Sequence, residues 1–168
     1  MGKQNEVVVL SRLPGTRWED YRDIRLEALR SEPVAFGSSY EEEAAREKGV
    51  WEDRIRNIFF ALRNDDPIGL IGYTCREREK QKHIAEIFSL FVRMDYRRTG
   101  IGEKLLKQAL SSIRENEAIT KVSLCVNSPQ ICAVNLYKKY GFEVVGKLKN
   151  EIKVNDKFYD QLLMEIIF

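Results

Sequence analysis

The stretch that decides the fold is residues 87–106, which read IFSLFVRMDYRRTGIGEKLL. An almost unbroken apolar run from Ile87 to Val92 predicts a strand that is buried on both faces. After Gly100 the apolar side chains recur at helical spacing, which predicts an amphipathic helix. These side chains are Ile101, Leu105, Leu106, Ala109, Leu110 and Ile113. A short basic loop with two glycines therefore joins a buried strand to a helix.

This loop has the features of a binding site for a phosphorylated ligand. The N–H groups in the first turn of a helix have no partner within the helix, and the helix dipole places partial positive charge there. Gly100 and Gly102 would let a bulky anion approach the backbone closely, because glycine has no side chain. Arg97 and Arg98 add two full positive charges. We therefore expect a phosphate group to bind at the start of this helix.

Two common phosphate-binding motifs do not fit the loop. The nucleotide P-loop ends on Gly-Lys followed by Ser or Thr, whereas Gly102 is followed by Glu103. The dinucleotide fingerprint needs a third glycine three residues after the second, and Leu105 stands there instead. A nucleotide-dependent phosphotransferase is therefore disfavoured.

Length and composition limit the remaining classes of protein. The 168 residues, 43% hydrophobic and 32% charged, predict one globular domain spanning residues 1–168. A net charge of +2 argues against a nucleic-acid partner, and the chain has neither an apolar run of membrane-spanning length nor a signal-peptide core. Three cysteines without a CxxC pair predict reduced thiols and a cytoplasmic location, and a single histidine argues against a metal site.

The order of predicted elements indicates an α/β fold. The predicted strands are residues 7–10, 59–62, 68–75, 84–92, 122–126, 142–148 and 158–167. Predicted helices are capped by Thr16 and by Ser39, follow Gly100, and open near Pro129. Gly49 is expected to break the second of them, and the run Glu41-Glu42-Glu43 is interpreted as a solvated first turn. We expect a mixed, mostly antiparallel sheet of about six or seven strands, with helices on both sides.

Two motifs resemble those of the GNAT superfamily of acyl-CoA-dependent N-acyltransferases. The six residues from Arg97 to Gly102, Arg-Arg-Thr-Gly-Ile-Gly, resemble its pyrophosphate-binding signature Gln/Arg-x-x-Gly-x-Gly/Ala. The segment from Leu136 to Phe142 resembles its Leu-Tyr-x-x-x-Gly-Phe element. The separation between them leaves room for a helix, a strand and a second helix, as that fold requires. The resemblance covers the chain from about Phe59 to its end and implies the mixed sheet described above.

The resemblance implies acetyl-CoA as co-substrate and no metal. Leu90, Phe91 and Val92 would pair with the pantetheine arm, and Asn127 would hydrogen-bond it. The loop residues would hold the pyrophosphate, mainly through main-chain N–H groups: Arg97, Arg98, Thr99, Gly100, Ile101, Gly102 and Glu103. Gln130 departs from the family pattern, which often has Asn seven residues before the tyrosine, so its contact with the cofactor stays open.

The implied reaction moves an acetyl group to the primary amine of a small molecule or a peptide N-terminus by direct attack. An alkyl ammonium group has a pKa of about 10.4, so a base that removes its proton assists attack. Glu86, on the strand before the loop, is the candidate general base, by resemblance to a catalytic glutamate of some family members and because desolvation in an apolar strand would favour its uptake of a proton. Tyr137 is the candidate general acid for the leaving thiolate, by resemblance to the family tyrosine. Solvation of Glu86 with a water chain as the base, and mere packing of Tyr137, are the alternatives.

Two further expectations concern competing functions and assembly. A non-catalytic acyl-CoA-binding regulatory domain would keep the loop but lack a working acid and base. The closing strand, with Leu163, Ile166, Ile167 and Phe168, is expected near a sheet edge, where it would pair with a second copy to form a homodimer.

Overall fold

The computed structural model describes residues 8–168. Its strands are β1 (Val9–Ser11), β2 (Ile58–Arg63), β3 (Asp66–Cys75), β4 (Ile84–Val92), β5 (Lys121–Asn127), β6 (Glu143–Val154) and β7 (Lys157–Ile167). Its α-helices are α1 (Trp18–Ser31), α2 (Tyr40–Ala44), α3 (Lys48–Arg54), α4 (Ile101–Arg114) and α5 (Ile131–Lys139). The strands form one seven-stranded sheet in the order β1-β2-β3-β4-β5-β7-β6. Among the described strands only β4 and β5 pair in parallel, so the predicted mixed, mostly antiparallel sheet is confirmed.

Alternate residues of the central strands face two separate cores. In β2, Phe59 and Ala61 belong to one core, whereas Ile58 and Phe60 belong to the other. Helices α4 and α5 cover the first core, and α1 and α3 cover the second. Helices therefore flank the sheet on both sides, as predicted, and this explains why β2 reads as a continuous apolar run rather than an alternating one.

The start of the chain differs in detail from the sequence-based prediction. The capping box of Ser39 and Glu42 is confirmed, since each side chain bonds the other residue's backbone. The Thr16 cap is wrong, because a 3₁₀ turn over Gly15–Arg17 precedes α1 and no side chain caps that helix. The break between α2 and α3 falls at residues 45–47, and Gly49 lies inside α3. Val7 of the predicted first strand lies outside the described residues.

The closing strand β7 does not lie at the sheet edge. It pairs with β5 on one side and with β6 on the other, so the expectation that it offers an edge to a second copy is wrong. The outer strand is β6, where Val144 is 43% and Val145 is 53% exposed. A homodimer built across this end of the sheet would have to use β6.

Three general properties of residues 8–168 complete the description. None of their helices combines the length and apolarity needed to span a membrane. Nowhere in this range do three or more His, Cys, Asp or Glu side chains gather as metal ligands would. Cys75, Cys125 and Cys132 are free and exposed.

Candidate active site

The candidate site lies where β4 and β5 separate. Their parallel pairing runs from Ile84 opposite Lys121 to Ile87 opposite Leu124, and it stops there although both strands continue. A cavity of about 530 Å³ opens between the diverging ends. The main-chain groups of residues 88–92 that face β5 therefore have no sheet partner on that side, and such groups require another one. A ligand with amide groups can supply it.

A β-bulge shapes β4 at the mouth of this cavity. Gly72 of β3 lies opposite Phe88 and Leu70 lies opposite Phe91, so two residues of β4, Ser89 and Leu90, stand against one of β3. Ser89 has φ +58°, a left-handed conformation that is uncommon for a residue other than glycine. Bulges re-aim the backbone and are frequent next to active sites. Sequence reasoning gave no sign of this bulge, because nothing about serine predicts a positive φ.

The three residues expected to pair with the pantetheine arm are distributed unequally. Leu90 lines the cavity. Phe91 is only 5% exposed and packs in the core below α1, so only its main chain remains for a ligand. Val92 packs against the core covered by α4. The structure thus leaves Leu90 and the main chain of this segment available to a ligand, apart from the Val92 carbonyl, which accepts from Arg97 Nε.

The loop before α4 presents unpaired donors, as the sequence predicted. Gly100 has φ +82° and no side chain caps α4. Within residues 8–168, the main-chain N–H groups of Ile101, Gly102 and Glu103 donate to no protein acceptor. The Thr99 hydroxyl donates to the Tyr96 carbonyl at 2.6 Å, which fixes the loop. The first turn of α4 therefore offers open donors together with the positive end of its dipole.

The two loop arginines differ in their freedom. Arg97 is held by its own protein: its Nε donates to the Val92 carbonyl at 2.9 Å and its Nη1 to Glu32 Oε1 at 2.7 Å. Arg98 is exposed, has φ +61° and makes no side-chain hydrogen bond or ion pair within the described part of the chain. Arg98 is thus the better placed of the two for an anion, whereas Arg97 orders the loop.

Glu103 ties the start of α4 to the end of α5. Its carboxylate accepts from Lys139 Nζ at 2.8 Å and from the Tyr140 hydroxyl at 2.6 Å. The hydrogen bond from Lys139, followed by that from Tyr140, lowers the pKa of Glu103 from 4.5 to about 2. The side chain is therefore engaged, which leaves its main-chain N–H for a ligand.

Replacing Glu103 by glutamine is expected to lower the melting temperature at neutral pH, because an amide cannot form the ion pair with Lys139. A carboxylate with a lowered pKa stabilises the fold fully above its unfolded value and loses this contribution as the pH falls through its folded value. The difference between the two proteins should therefore shrink between pH 4.5 and about 2. Melting curves recorded across this range test the prediction. Glu117→Gln, at an exposed position with no ion pair among the described residues, is the control; a Glu103 difference that stays constant with pH would contradict the assignment.

Tyr137 lies in the cavity wall, on α5. The residue is 6% exposed, and its ring meets Phe142 edge to face at 5.7 Å. Its hydroxyl makes no hydrogen bond with any described residue. Desolvation by burial raises the pKa of Tyr137 above its usual 10. The hydroxyl therefore stays protonated at neutral pH and is available as a proton donor.

Glu86 lines the same cavity but is not desolvated as expected. Its side chain is 42% exposed, and Arg76 Nε donates to Glu86 Oε1 at 2.7 Å. The sequence missed this partner because Arg76 lies ten residues away, beyond the turn that joins β3 to β4. The premise that Glu86 sits in an apolar environment is wrong, since the side chain faces a guanidinium and solvent.

The side chain of Asn127 forms its hydrogen bonds with other residues of the protein. It is 1% exposed, its Nδ2 donates to the Val34 carbonyl at 2.6 Å, and its Oδ1 accepts from Gln161 Nε2 at 2.9 Å. Its side-chain amide is therefore occupied, and the structure does not support the expected contact with the cofactor arm. Gln130, whose role the sequence left open, lines the cavity.

A buried charged cluster that the sequence did not predict lies at the cavity wall. Arg25 of α1 is 4% exposed and holds the fully buried Glu43 of α2 through Nε at 3.1 Å and Nη2 at 2.9 Å. Arg54 of α3 approaches the same carboxylate at 3.4 Å. The interpretation of Glu43 as part of a solvated first turn is therefore wrong. The available signal was Arg25 itself, which stands four residues after Tyr21 on the apolar face of α1.

The carboxylate of this cluster is held in its charged form. Burial alone would raise the pKa of Glu43, but the hydrogen bond and charge of Arg25, with the charge of Arg54, outweigh burial and lower it. In the cavity wall, the two positively charged side chains of Arg25 and Arg54 therefore contact the single negatively charged side chain of Glu43.

Comparison with known proteins identifies the family. The chain matches the acetyltransferase (GNAT) family over residues 18–142, and it belongs to this family. It is 22% identical over 120 residues to the L-amino acid N-acetyltransferase AaaT of Escherichia coli, covering 68% of this chain and 74% of that protein. It is 30% identical over 90 residues to the N-alpha-acetyltransferase 50 of Danio rerio, covering 54% of this chain and 53% of that protein. The family inferred from the two motifs is confirmed, and the chain is an acetyltransferase.

Solved structures confirm the fold. An acetyltransferase of the GNAT family from Streptococcus pneumoniae superposes with a TM-score of 0.85 at 19% identity, covering 96% of this chain and 99% of that one. The yncA protein of Salmonella typhimurium, solved with its cofactor acetyl-CoA, superposes with a TM-score of 0.79 at 15% identity, covering 96% of this chain and 94% of that one.

Proposed function

We propose that this protein transfers the acetyl group of acetyl-CoA to the primary amine of a small molecule or a peptide N-terminus. The observation that carries the proposal is the set of main-chain groups without protein partners in the first turn of α4 and along the edge of β4, the latter beside the cavity that Tyr137 lines. The yncA structure with acetyl-CoA and the named activities of the two relatives support it.

Each of these features suits one part of the cofactor. The first turn of α4 and Arg98 suit the pyrophosphate, because open N–H groups, the helix dipole and a guanidinium all favour anions. The edge of β4 that β5 leaves unpaired suits the amides of the pantetheine arm. The bulge at Ser89 suits the thioester carbonyl, because re-aimed N–H groups can stabilise the charge that develops on its oxygen.

The reaction needs one proton removed and one supplied. The amine nitrogen attacks the thioester carbon, a C–N bond forms, and the C–S bond breaks to release CoA. Glu86, directly or through water, takes the proton from the amine; the exposure of its carboxylate and its pairing with Arg76 suit the route through water. Tyr137 donates a proton to the departing sulfur, because its hydroxyl is protonated and the residue lines the cavity.

Calorimetry and an acceptor screen test the function. We expect acetyl-CoA to bind with measurable heat and ATP to give none, and we expect CoA release when acetyl-CoA and an amine panel are supplied together. Binding without CoA release from any amine would favour a non-catalytic acyl-CoA-binding regulatory domain. Absence of heat and of a thermal shift with acetyl-CoA would overturn both functions.

The two glycines of the loop provide a matched pair of variants. Gly100→Ala is expected to weaken acetyl-CoA binding about tenfold or more, because a side chain at φ +82° is strained by about 1–2 kcal/mol and its methyl would enter open space beside the anion site. Gly102→Ala is expected to bind normally, since its methyl would meet Val92 and Leu136 at 3.8 and 4.0 Å, within the protein. Titration calorimetry measures both. Equal affinities for the two variants would contradict a pyrophosphate site at Gly100.

A further inference from the structure

The cavity wall contains a buried donor that the protein leaves without an acceptor. Arg25 uses Nε and Nη2 to hold Glu43, and its third guanidinium nitrogen, Nη1, has no hydrogen-bond partner although it is buried. Buried donors without partners are rare in folded proteins, because a buried polar group that makes no hydrogen bond destabilises the fold. Arg25 lines the cavity, and Nη1 points away from the edge that Glu43 occupies. Because Arg25 is one of the residues that line the cavity, a molecule bound there is an available acceptor for this donor.

The surroundings of Arg25 favour an anion as that acceptor. Arg54 also lines the cavity, is 28% exposed, and reaches Glu43 through Nη1 alone at 3.4 Å. One carboxylate therefore faces two guanidinium groups, which leaves a local excess of positive charge. Phe36 packs over the Arg25 guanidinium with 4.7 Å between Cζ and the ring centroid. Its ring excludes water from one face, and a charge-assisted hydrogen bond is stronger where water is excluded.

The other charged side chains of the cavity are already paired with each other. Arg76 pairs with Glu86, and Lys121 pairs with Glu165. The cluster of Arg25 and Arg54 is therefore the part of the described cavity lining with a cationic donor left unused. A guanidinium is well matched to a carboxylate because both groups are planar and two guanidinium N–H groups can donate to the two carboxylate oxygens.

We propose that the acceptor amine also carries a carboxylate, as an α-amino acid does, and that Arg25 Nη1 and Arg54 bind this carboxylate while the amine faces the acetyl group. The inference rests on the proposed function, since the cavity must hold an acceptor. It narrows that function from amines in general to small amines that bear an anionic group.

Matched acids and amides test the proposal in the full-length protein. The panel contains L-alanine, L-leucine, L-methionine and L-phenylalanine, each paired with its carboxamide, and CoA release gives kcat/KM for each. A carboxylate makes the neighbouring amine harder to deprotonate, so chemistry alone favours the amides. We expect kcat/KM for the best amino acid to exceed kcat/KM for its carboxamide about tenfold or more, which is the effect typical of one charge-assisted hydrogen bond. Carboxamides used as well as or better than the acids would overturn the proposal and leave the acetyltransferase function intact.

Variants locate the carboxylate site. Arg54→Gln is expected to reduce the preference for the acid to about threefold or less, mainly through KM for the acceptor, whereas KM for acetyl-CoA stays unchanged. Arg56→Gln is the matched control, because Arg56 is two residues away, 75% exposed and outside the cavity lining. The double variant Arg25→Met with Glu43→Leu removes the buried donor without leaving Arg25 or Glu43 as an unpaired buried charge, and it should lower the preference, although Arg54 remains. A preference that survives in both variants would overturn the assignment.

A binding measurement separates this proposal from the activity. N-acetyl-L-leucine and N-acetyl-L-leucinamide, titrated into the protein with CoA present, should differ about tenfold in affinity, and Arg54→Gln should reduce this difference to about threefold or less. A protein that shows this difference but releases no CoA from acetyl-CoA would support the carboxylate site and contradict the catalytic function. Equal affinities for the two compounds would overturn the carboxylate site whatever the activity.

Discussion

Replacing Tyr137 by phenylalanine is expected to lower kcat about 100-fold while leaving KM for acetyl-CoA nearly unchanged, the size typical of losing a general acid. The hydroxyl lies in the cavity wall and makes no hydrogen bond with the described residues, so its removal leaves no protein group without a partner. The melting temperature should therefore change little. Steady-state release of CoA with a saturating acceptor measures the effect on kcat.

A matched tyrosine controls for general effects of the substitution. Tyr73 lies on β3 outside the cavity lining, and its hydroxyl contacts Ser112 Oγ at 3.0 Å. Tyr73→Phe is expected to keep the wild-type kcat. If Tyr137→Phe turned over as fast as Tyr73→Phe, the acid would have to be another group and Tyr137 would be a packing residue.

Replacing Glu43 by alanine is expected to lower the free energy of unfolding by about 3–5 kcal/mol, the cost of leaving a buried charge without its partner. Glu43 is fully buried, and Arg25, 4% exposed, depends on it for two of its hydrogen bonds. Urea denaturation followed by circular dichroism measures the change. A fall of less than about 1 kcal/mol would mean that Glu43 is solvated in solution and that the cavity wall is open there.

The double variant Arg25→Met with Glu43→Leu is the control for this loss of stability. Replacing both members of a buried ion pair by apolar residues often changes the free energy of unfolding little. We therefore expect the double variant to recover most of the stability that Glu43→Ala loses. The pair also predicts a pH dependence: because the pKa of Glu43 is lowered, its contribution is complete above the ordinary carboxyl value and is lost as the pH falls through the lowered one. Wild-type stability should therefore decline in acid more than that of the double variant.

Local patterns along the chain predicted much of the fold. The strand Ile84–Val92, the helix after Gly100 and the Ser39 capping box all have the predicted bounds or contacts. Gly141 follows α5 at φ +88°, the left-handed conformation in which helices commonly end at a glycine. Each of these features depends on interactions within a few residues, which is why sequence spacing reveals them. The Thr16 cap failed because a capping box is only one of several ways to begin a helix, and here a 3₁₀ turn precedes α1.

Partners far apart in sequence account for the errors at the site. Glu86 was expected to be desolvated, but Arg76 and solvent face it. Asn127 was expected to hydrogen-bond the pantetheine arm, but its side-chain amide donates to the carbonyl of Val34, 93 residues away. Glu43 was interpreted as solvated because it follows two other glutamates, yet it is buried against Arg25, 18 residues earlier. The sequence around a charged residue does not show which distant residue will pair with it when the chain folds and buries it.

The sequence by itself determined the order of strands and helices, the glycine loop at the start of α4 and the family, because these depend on spacing along the chain. Only the tertiary structure decided where β4 and β5 part, that Ser89 forms a bulge, and that Arg25 reaches the cavity with an unused donor. The physical reason is that hydrogen bonding and burial of a polar group depend on which distant segments pack around it, and packing is a property of the whole fold.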